Sequence, residues 1–147
     1  MKIAISACLL LSSIISSCQV RWAKTTEWTL YAFEGNDQFK VPIDSLYNLD
    51  TLTLNQDSMA SYLNSAEIKH PSAPLVWMGG YIATCRLNDA VRKVEISNYG
   101  GFFFDEKTKT YYHIAPDKTE SWNSYLQRAF LTLARKLSSK YSNSKPR

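Results

Sequence analysis

The chain has 147 residues, of which 45% are hydrophobic, 20% charged and 13% aromatic, with a formal net charge of +4. That length and apolar fraction fit one packed domain and exclude a disordered chain, while five Gly and five Pro exclude a collagen-like or low-complexity one. Two His and three Cys leave little material for a metal centre.

Met1-Lys2 is a short positive start, and the uncharged run Ile3–Ile15 follows it. The run is too short to cross a bilayer, which takes roughly 20 apolar residues. It has instead the layout of a secretory signal: a basic end, an apolar middle and small closing residues. Ile15-Ser16-Ser17-Cys18 resembles the lipobox of bacterial lipoproteins, an aliphatic residue and two small ones before an obligatory Cys. The resemblance covers the first 18 residues. It implies a lipidated Cys18 thiol, cleavage before Cys18 and acylation of the new amine, with palmitate as the typical chain. An ordinary signal cut near Ser17 is the alternative. Gln19 stands where Asp would mark inner-membrane retention in that family, which favours the outer membrane, facing the periplasm. Several acyl chains anchor durably, because each buried CH₂ adds about 0.8 kcal/mol.

The expected organisation is a signal peptide at 1–17, a lipidated tether at 18–26 with packing of Trp22 left open, one α+β domain at 27–138 and a basic polar tail at 139–147. Glu27–Phe33 reads as a first strand, although aromatics on both sides blur its alternation. Glu34–Asp37 is a turn, and Phe39–Ile43 alternates as a second strand that Pro42 confines to a sheet edge. Together they predict a hairpin. Asp44–Leu54 suits a helical turn and then a short strand. Asp57 caps a predicted short helix from Ser58 to Ala66, and His70–Pro74 breaks the chain.

A three-strand meander follows. Leu75–Leu87 is a long strand, Asn88-Asp89 its turn, and Val91–Ser97 the next strand, with Val94 and Ile96 facing opposite to Lys93 and Glu95. Tyr99-Gly100-Gly101 is a bulge or break before Phe102-Phe103-Phe104, and the polar loop Asp105–Lys109 leads back into Thr110–Ile114. Pro116 and Asp117 start a long helix, with Asp117 and Glu120 at capping-box spacing. Its positions Trp122, Tyr125, Leu126, Ala129, Phe130, Leu133, Ala134 and Leu137 form one apolar stripe, the face of a helix that covers a sheet. The predicted fold is therefore α+β: an antiparallel sheet, hairpin plus meander, covered by a long C-terminal amphipathic helix and a short internal helix.

Chemistry is sparse. The chain has no Gly-rich phosphate loop, no His-Glu-x-x-His and no Cys-x-x-Cys. Zinc held by His70, His113 and an Asp is conceivable, but two widely separated His do not build a site unaided. Asp105-Glu106 reads as a solvated turn rather than a glycosidase pair, which needs carboxylates on either side of a bond. Cys85 is the one thiol outside the first 18 residues, and its strand position reads as a small buried hydrophobe. No catalytic residue, metal or cofactor is expected. Arg128–Arg147 carries six basic residues and no acid, either a surface for anionic headgroups or a helix end with a solvated tail. An exported chain of modest charge argues against nucleic acid.

Recognition remains. Tyr99–Tyr112 holds six aromatics, and alternation sends Phe102 and Phe104 one way and Phe103 the other. Tyr99, Phe103, Tyr111 and His113 are the expected surface members, with Asp89, Glu95, Asp105 and Glu106 as acidic contacts. In organisation, though not in any motif, the chain is similar to small lipoprotein immunity proteins. That likeness implies a non-catalytic, lipid-anchored protein neutralising a basic toxin in the periplasm. An accessory subunit of an envelope assembly or transport complex is the second reading, and a hydrolase using His70 or His113 the third.

Overall fold

The computed structural model describes residues 21–33, 40–70 and 80–143. The signal peptide with its lipobox, the Glu34–Asp37 turn with Phe39, the Pro71–Pro74 break, the expected strand start at Leu75–Gly79 and the last four residues lie outside the described residues.

A 3-10 turn (Trp22–Lys24) leads into β1 (Thr26–Tyr31), followed by α1 (Ile43–Leu46), β2 (Thr51–Thr53), α2 (Gln56–Leu63) and β3 (Glu67–Lys69). Then come β4 (Gly80–Leu87), β5 (Ala90–Ser97), β6 (Phe102–Asp105), β7 (Thr110–His113) and α3 (Pro116–Asn143). The strands form one seven-stranded antiparallel sheet in the order β2-β1-β4-β5-β6-β7-β3. The fold is α+β, with the sheet, the long C-terminal helix and the short internal helix that the sequence predicts.

Local chemistry explains the well-predicted parts. Asn88 and Asp89 take positive φ (49° and 61°), the two-residue turn that matches strand twist, and so β4 and β5 pair along eight positions. Gly100 (φ 77°) and Gly101 (φ 69°) reverse the chain between β5 and β6. Gly101 also lies under α3: a Cβ there would stand 2.9 Å from Thr119 Oγ1. On α3, Trp122, Leu126 and Leu133 are buried, and Tyr125, Ala129 and Phe130 pack against the same core. That core takes Leu30, Ala83, Cys85, Val94, Ile96, Phe103 and Tyr112 from the sheet and Met59 and Leu63 from α2.

Several expectations are corrected. Ile43 opens α1 behind Pro42 rather than ending a strand, and the hairpin partner of β1 is β2, with Leu30 opposite Leu52. The helical turn and short strand expected within Asp44–Leu54 are α1 and β2. Helix α2 starts at Gln56, and its cap is Asn55, whose side chain accepts from Ser58 N at 2.9 Å; Asp57 lies in the first turn instead. Asp117 likewise lies inside the first turn of α3, because Pro116 is already helical. Strand β3 was not foreseen. It pairs with β7, and so β4–β7 is a four-strand meander with a further strand on its edge.

The ends of the domain also differ. Trp22, assigned above to the tether, is 2% exposed and packs edge-on against Phe103 (5.0 Å) and Tyr112 (5.2 Å). Thr25 Oγ1 accepts from Trp28 Nε1 at 2.9 Å and fixes this entry into β1. At the other end the helix continues through residues 139–143 of the expected tail, and Lys140 pairs with Asp50 at 3.0 Å.

Both faces of the sheet are covered over much of their area, which is why β1 lacks a clean alternation. Alternation puts Trp28 and Leu30 together on the α3 side, and a bulge between Thr26 and Thr29, with Glu27 at φ 53°, breaks the pairing with β4 ahead of Thr29. Tyr31 points to the opposite face, where it joins Leu46 and Ile82 in a second small core closed by Val41, Ile43 and Leu49.

Candidate functional site

The face of β6–β7 turned away from α3 carries a ladder of paired rings. Register places Phe102 opposite His113 and Phe104 opposite Tyr111, with ring centroids 4.4 Å and 4.7 Å apart. Phe102, Tyr111 and His113 are half-buried, and Phe104 is nearly buried with Lys109 Nζ 5.9 Å from its ring centroid. His113 Nε2 donates to Gly100 O at 3.0 Å, which ties the ladder to the β5–β6 turn. Alternation puts Phe103 and Tyr112 on the other side, stacked at 5.1 Å in the main core. Phe103 is thus no surface anchor: it is 1% exposed.

Next to the ladder lies a charged cluster. Lys93 Nζ is 2.9 Å from Glu95 Oε1 and 3.2 Å from Glu106 Oε2, and it donates to Val41 O at 2.7 Å. Lys93 and Glu95 are buried because the segment around α1 closes over this face. The ammonium sits at ion-pair distance without an aligned hydrogen bond to either Glu95 oxygen. Burial therefore outweighs Lys93 and holds the Glu95 carboxyl above the usual carboxylate range.

Asp105 is buried on the opposite face. It pairs with Arg92, accepts from Thr108 Oγ1 at 2.7 Å and takes Lys107 N–H at 3.1 Å, the last an Asx-type bond that shapes the β6–β7 loop. Glu95 and Asp105 are therefore structural ion-pair partners and not acidic surface contacts. Of the four acids expected at an interface, Asp89 is exposed at the β4–β5 turn and Glu106 is half-buried against Lys93.

A groove of about 570 Å³ opens between the β5–β6 turn and the first half of α3. Tyr81 and Tyr99 stand on the sheet side with Asn98; Glu120, Asn123 and Gln127 stand on the helix. Tyr99 is 79% exposed, whereas Tyr81 leans on Phe130 (5.3 Å) and its hydroxyl pKa is raised by burial. Asn123 Oδ1 is buried with no hydrogen-bond partner among the described residues. Residues 119, 123 and 127 recur every fourth position beside the apolar stripe of α3. That polar row was the available sequence signal, and it reads as an ordinary solvated flank.

The residues weighed for catalysis are occupied or apart. Cys85 is 1% exposed, and burial first, then the Asp105 charge, push its thiol up to about 12. His113 is committed to Gly100 O and Phe102, while His70 is exposed just past β3. No group of three or more His, Cys, Asp or Glu among the described residues could hold a metal ion. No described helix is long and apolar enough to cross a membrane.

The fold and these surfaces define an α+β domain with a ring ladder on one side of its sheet and a polar groove on the other. Compared with family models, curated proteins and solved structures, the chain matches none.

Proposed function

We propose that the protein is a lipid-anchored component of the cell envelope that binds another protein without catalysis, as an immunity-type protein neutralising a toxin in the periplasm. The observation that carries this reading is the half-buried ladder of Phe102, Tyr111 and His113 on the face away from α3. Such amphipathic rings are typical anchors of protein interfaces. The burial of Glu95 and Asp105 changes the expected mode of contact: the partner meets rings rather than an acidic patch.

The anchor rests on Ile15-Ser16-Ser17-Cys18, and Cys18 is the lipidated residue in this reading. Because Trp22 is already in the core, three residues separate Cys18 from the domain, a reach of at most about 14 Å over four Cα steps. The domain is then held close to the outer-membrane surface.

The test is an affinity tag after Arg147, with crosslinking of intact cells grown alone and with competitors. One secreted, stoichiometric partner found mainly with competitors is the expected result. Resident envelope proteins recovered equally from both cultures would overturn the immunity assignment and make the protein an accessory subunit of an envelope complex.

A further inference from the structure

We propose that the groove between the β5–β6 turn and α3 is a binding site for a neutral saccharide, separate from the ring ladder. Its volume, about 570 Å³, lies in the range of small-ligand sites. Three features of its lining select the ligand class.

The first is the kind of groups presented. Asn98, Asn123 and Gln127 offer planar amides that both donate and accept, Thr119 and Ser124 add hydroxyls, and Glu120 adds an acceptor. A polyhydroxyl ligand has donors and acceptors all round its ring and can satisfy such a set. The second is charge. None of the lining residues is basic and one is acidic, which disfavours phosphorylated or carboxylated ligands. The third is the pair Tyr81 and Tyr99, whose ring faces carry partial negative charge and suit the polarised C–H groups of a pyranose.

Asn123 supplies the independent observation. Its Oδ1 is buried without a partner among the described residues, and a buried acceptor left unmade is costly. Turning of the Asn123 amide toward the groove would bring Oδ1 to a ligand hydroxyl or acetamido N–H, the missing donor.

A polypeptide fits less well. β4 reaches the groove at Tyr81 and β5 ends just before it, ahead of Asn98; both are interior strands in the order β1-β4-β5-β6. The edge strands are β2 and β3, and neither lines the groove among the described residues, so no edge strand is offered there to a peptide. Recognition there has to run through side chains, and those side chains are amides, hydroxyls and phenols.

The experiment is a titration of the ¹⁵N-labelled protein with triacetylchitotriose and with maltotriose, reading the side-chain amides of Asn98, Asn123 and Gln127. Saturable shifts confined to these groups, with a Kd on the order of 0.1–1 mM for at least one sugar, are expected. Asn123→Leu should weaken binding roughly tenfold, the worth of one hydrogen bond to a buried acceptor. Tyr99→Ala is the companion variant: the residue is 79% exposed, so its loss leaves the fold intact and should also weaken binding. No shift with either sugar, or equal affinity in both variants, overturns the proposal. A protein partner that occupies the groove while neither sugar does would also overturn it. Capture by a Tyr111→Ala variant reports on the ring ladder alone, so failure of the saccharide site and failure of the protein-binding reading are told apart.

Discussion

Replacing Lys93 by Met removes one of the two charges of the Lys93–Glu95 pair at a place where neither meets water. The Lys93 side chain is 2% exposed and that of Glu95 0%. Met keeps the length and apolar stem of Lys, so packing is nearly conserved and what is lost is the ammonium, with its ion pairs and its bond to Val41 O. Removing one partner of a buried pair typically costs about 3–5 kcal/mol, because the other charge is left uncompensated. At about 3 °C per kcal/mol for a chain of this size, the melting temperature should fall by about 9–15 °C.

Glu106 also loses a neighbour, but at 35% exposure water can replace it. The penalty should depend on pH with a defined sign. Burial already raises the Glu95 pKa, so folding favours its protonated form; that contribution is complete below the ordinary Glu value and is lost as pH rises through the raised one. Without Lys93 the raise is larger, so Lys93→Met should be worst near about pH 8 and mildest near about pH 4. The double variant Lys93→Met/Glu95→Leu removes both charges and should recover most of the loss. Urea unfolding followed by circular dichroism across that pH range reads all three. A single variant that loses under about 1 kcal/mol, or a double variant no better than the single, refutes the account of a compensated buried pair.

Three further outcomes follow from particular residues. Gly101→Ala places a Cβ at φ 69° and 2.9 Å from Thr119 Oγ1, so thermal melting should show a loss of about 1–3 kcal/mol. Asn55→Ala removes the cap of α2 and should cost about 1 kcal/mol in urea unfolding, with Asp57→Ala costing less; the reverse order would contradict the assigned cap. Cys85, with its thiol pushed up to about 12 and 1% exposed, should resist iodoacetamide in the folded protein and react once urea unfolds it.

Much of the fold is legible from local rules. The stripe from Trp122 to Leu137 fixes the inner face of α3, and Asn88-Asp89 fixes the β4–β5 turn because few other pairs tolerate two positive φ values. Other parts depend on contacts that no window of sequence contains. Glu67-Ile68-Lys69 is too short and polar to announce a strand; it becomes β3 by pairing with β7, more than forty residues later. Phe39–Ile43 carries a strand-like pattern, yet behind Pro42 the chain turns into α1 and spends Val41, Ile43 and Leu46 on a second core.

The candidate site was legible in part for the same reason. Alternation separates Phe103 from Phe102 and Phe104 correctly, but it does not say which face lies under the helices. Phe103 points toward Trp22 and α3, and the ladder partners Tyr111 and His113 point away. Alternation also places Lys93 and Glu95 on one face and leaves their burial undetermined, because their cover comes from the distant segment around Val41 and Leu46. The groove left the faintest trace. Thr119, Asn123 and Gln127 acquire meaning once the Gly100-Gly101 turn brings Tyr99 and Asn98 across from them.

Crosslinked capture from intact cells with and without competitors, comparing the unaltered protein with a Tyr111→Ala/His113→Ala variant, tests the central claim most directly. The account predicts one stoichiometric protein partner with the unaltered chain and roughly tenfold lower recovery with the variant, the size expected when interface anchors are truncated. Equal recovery with both proteins, or no partner under either condition, would contradict it.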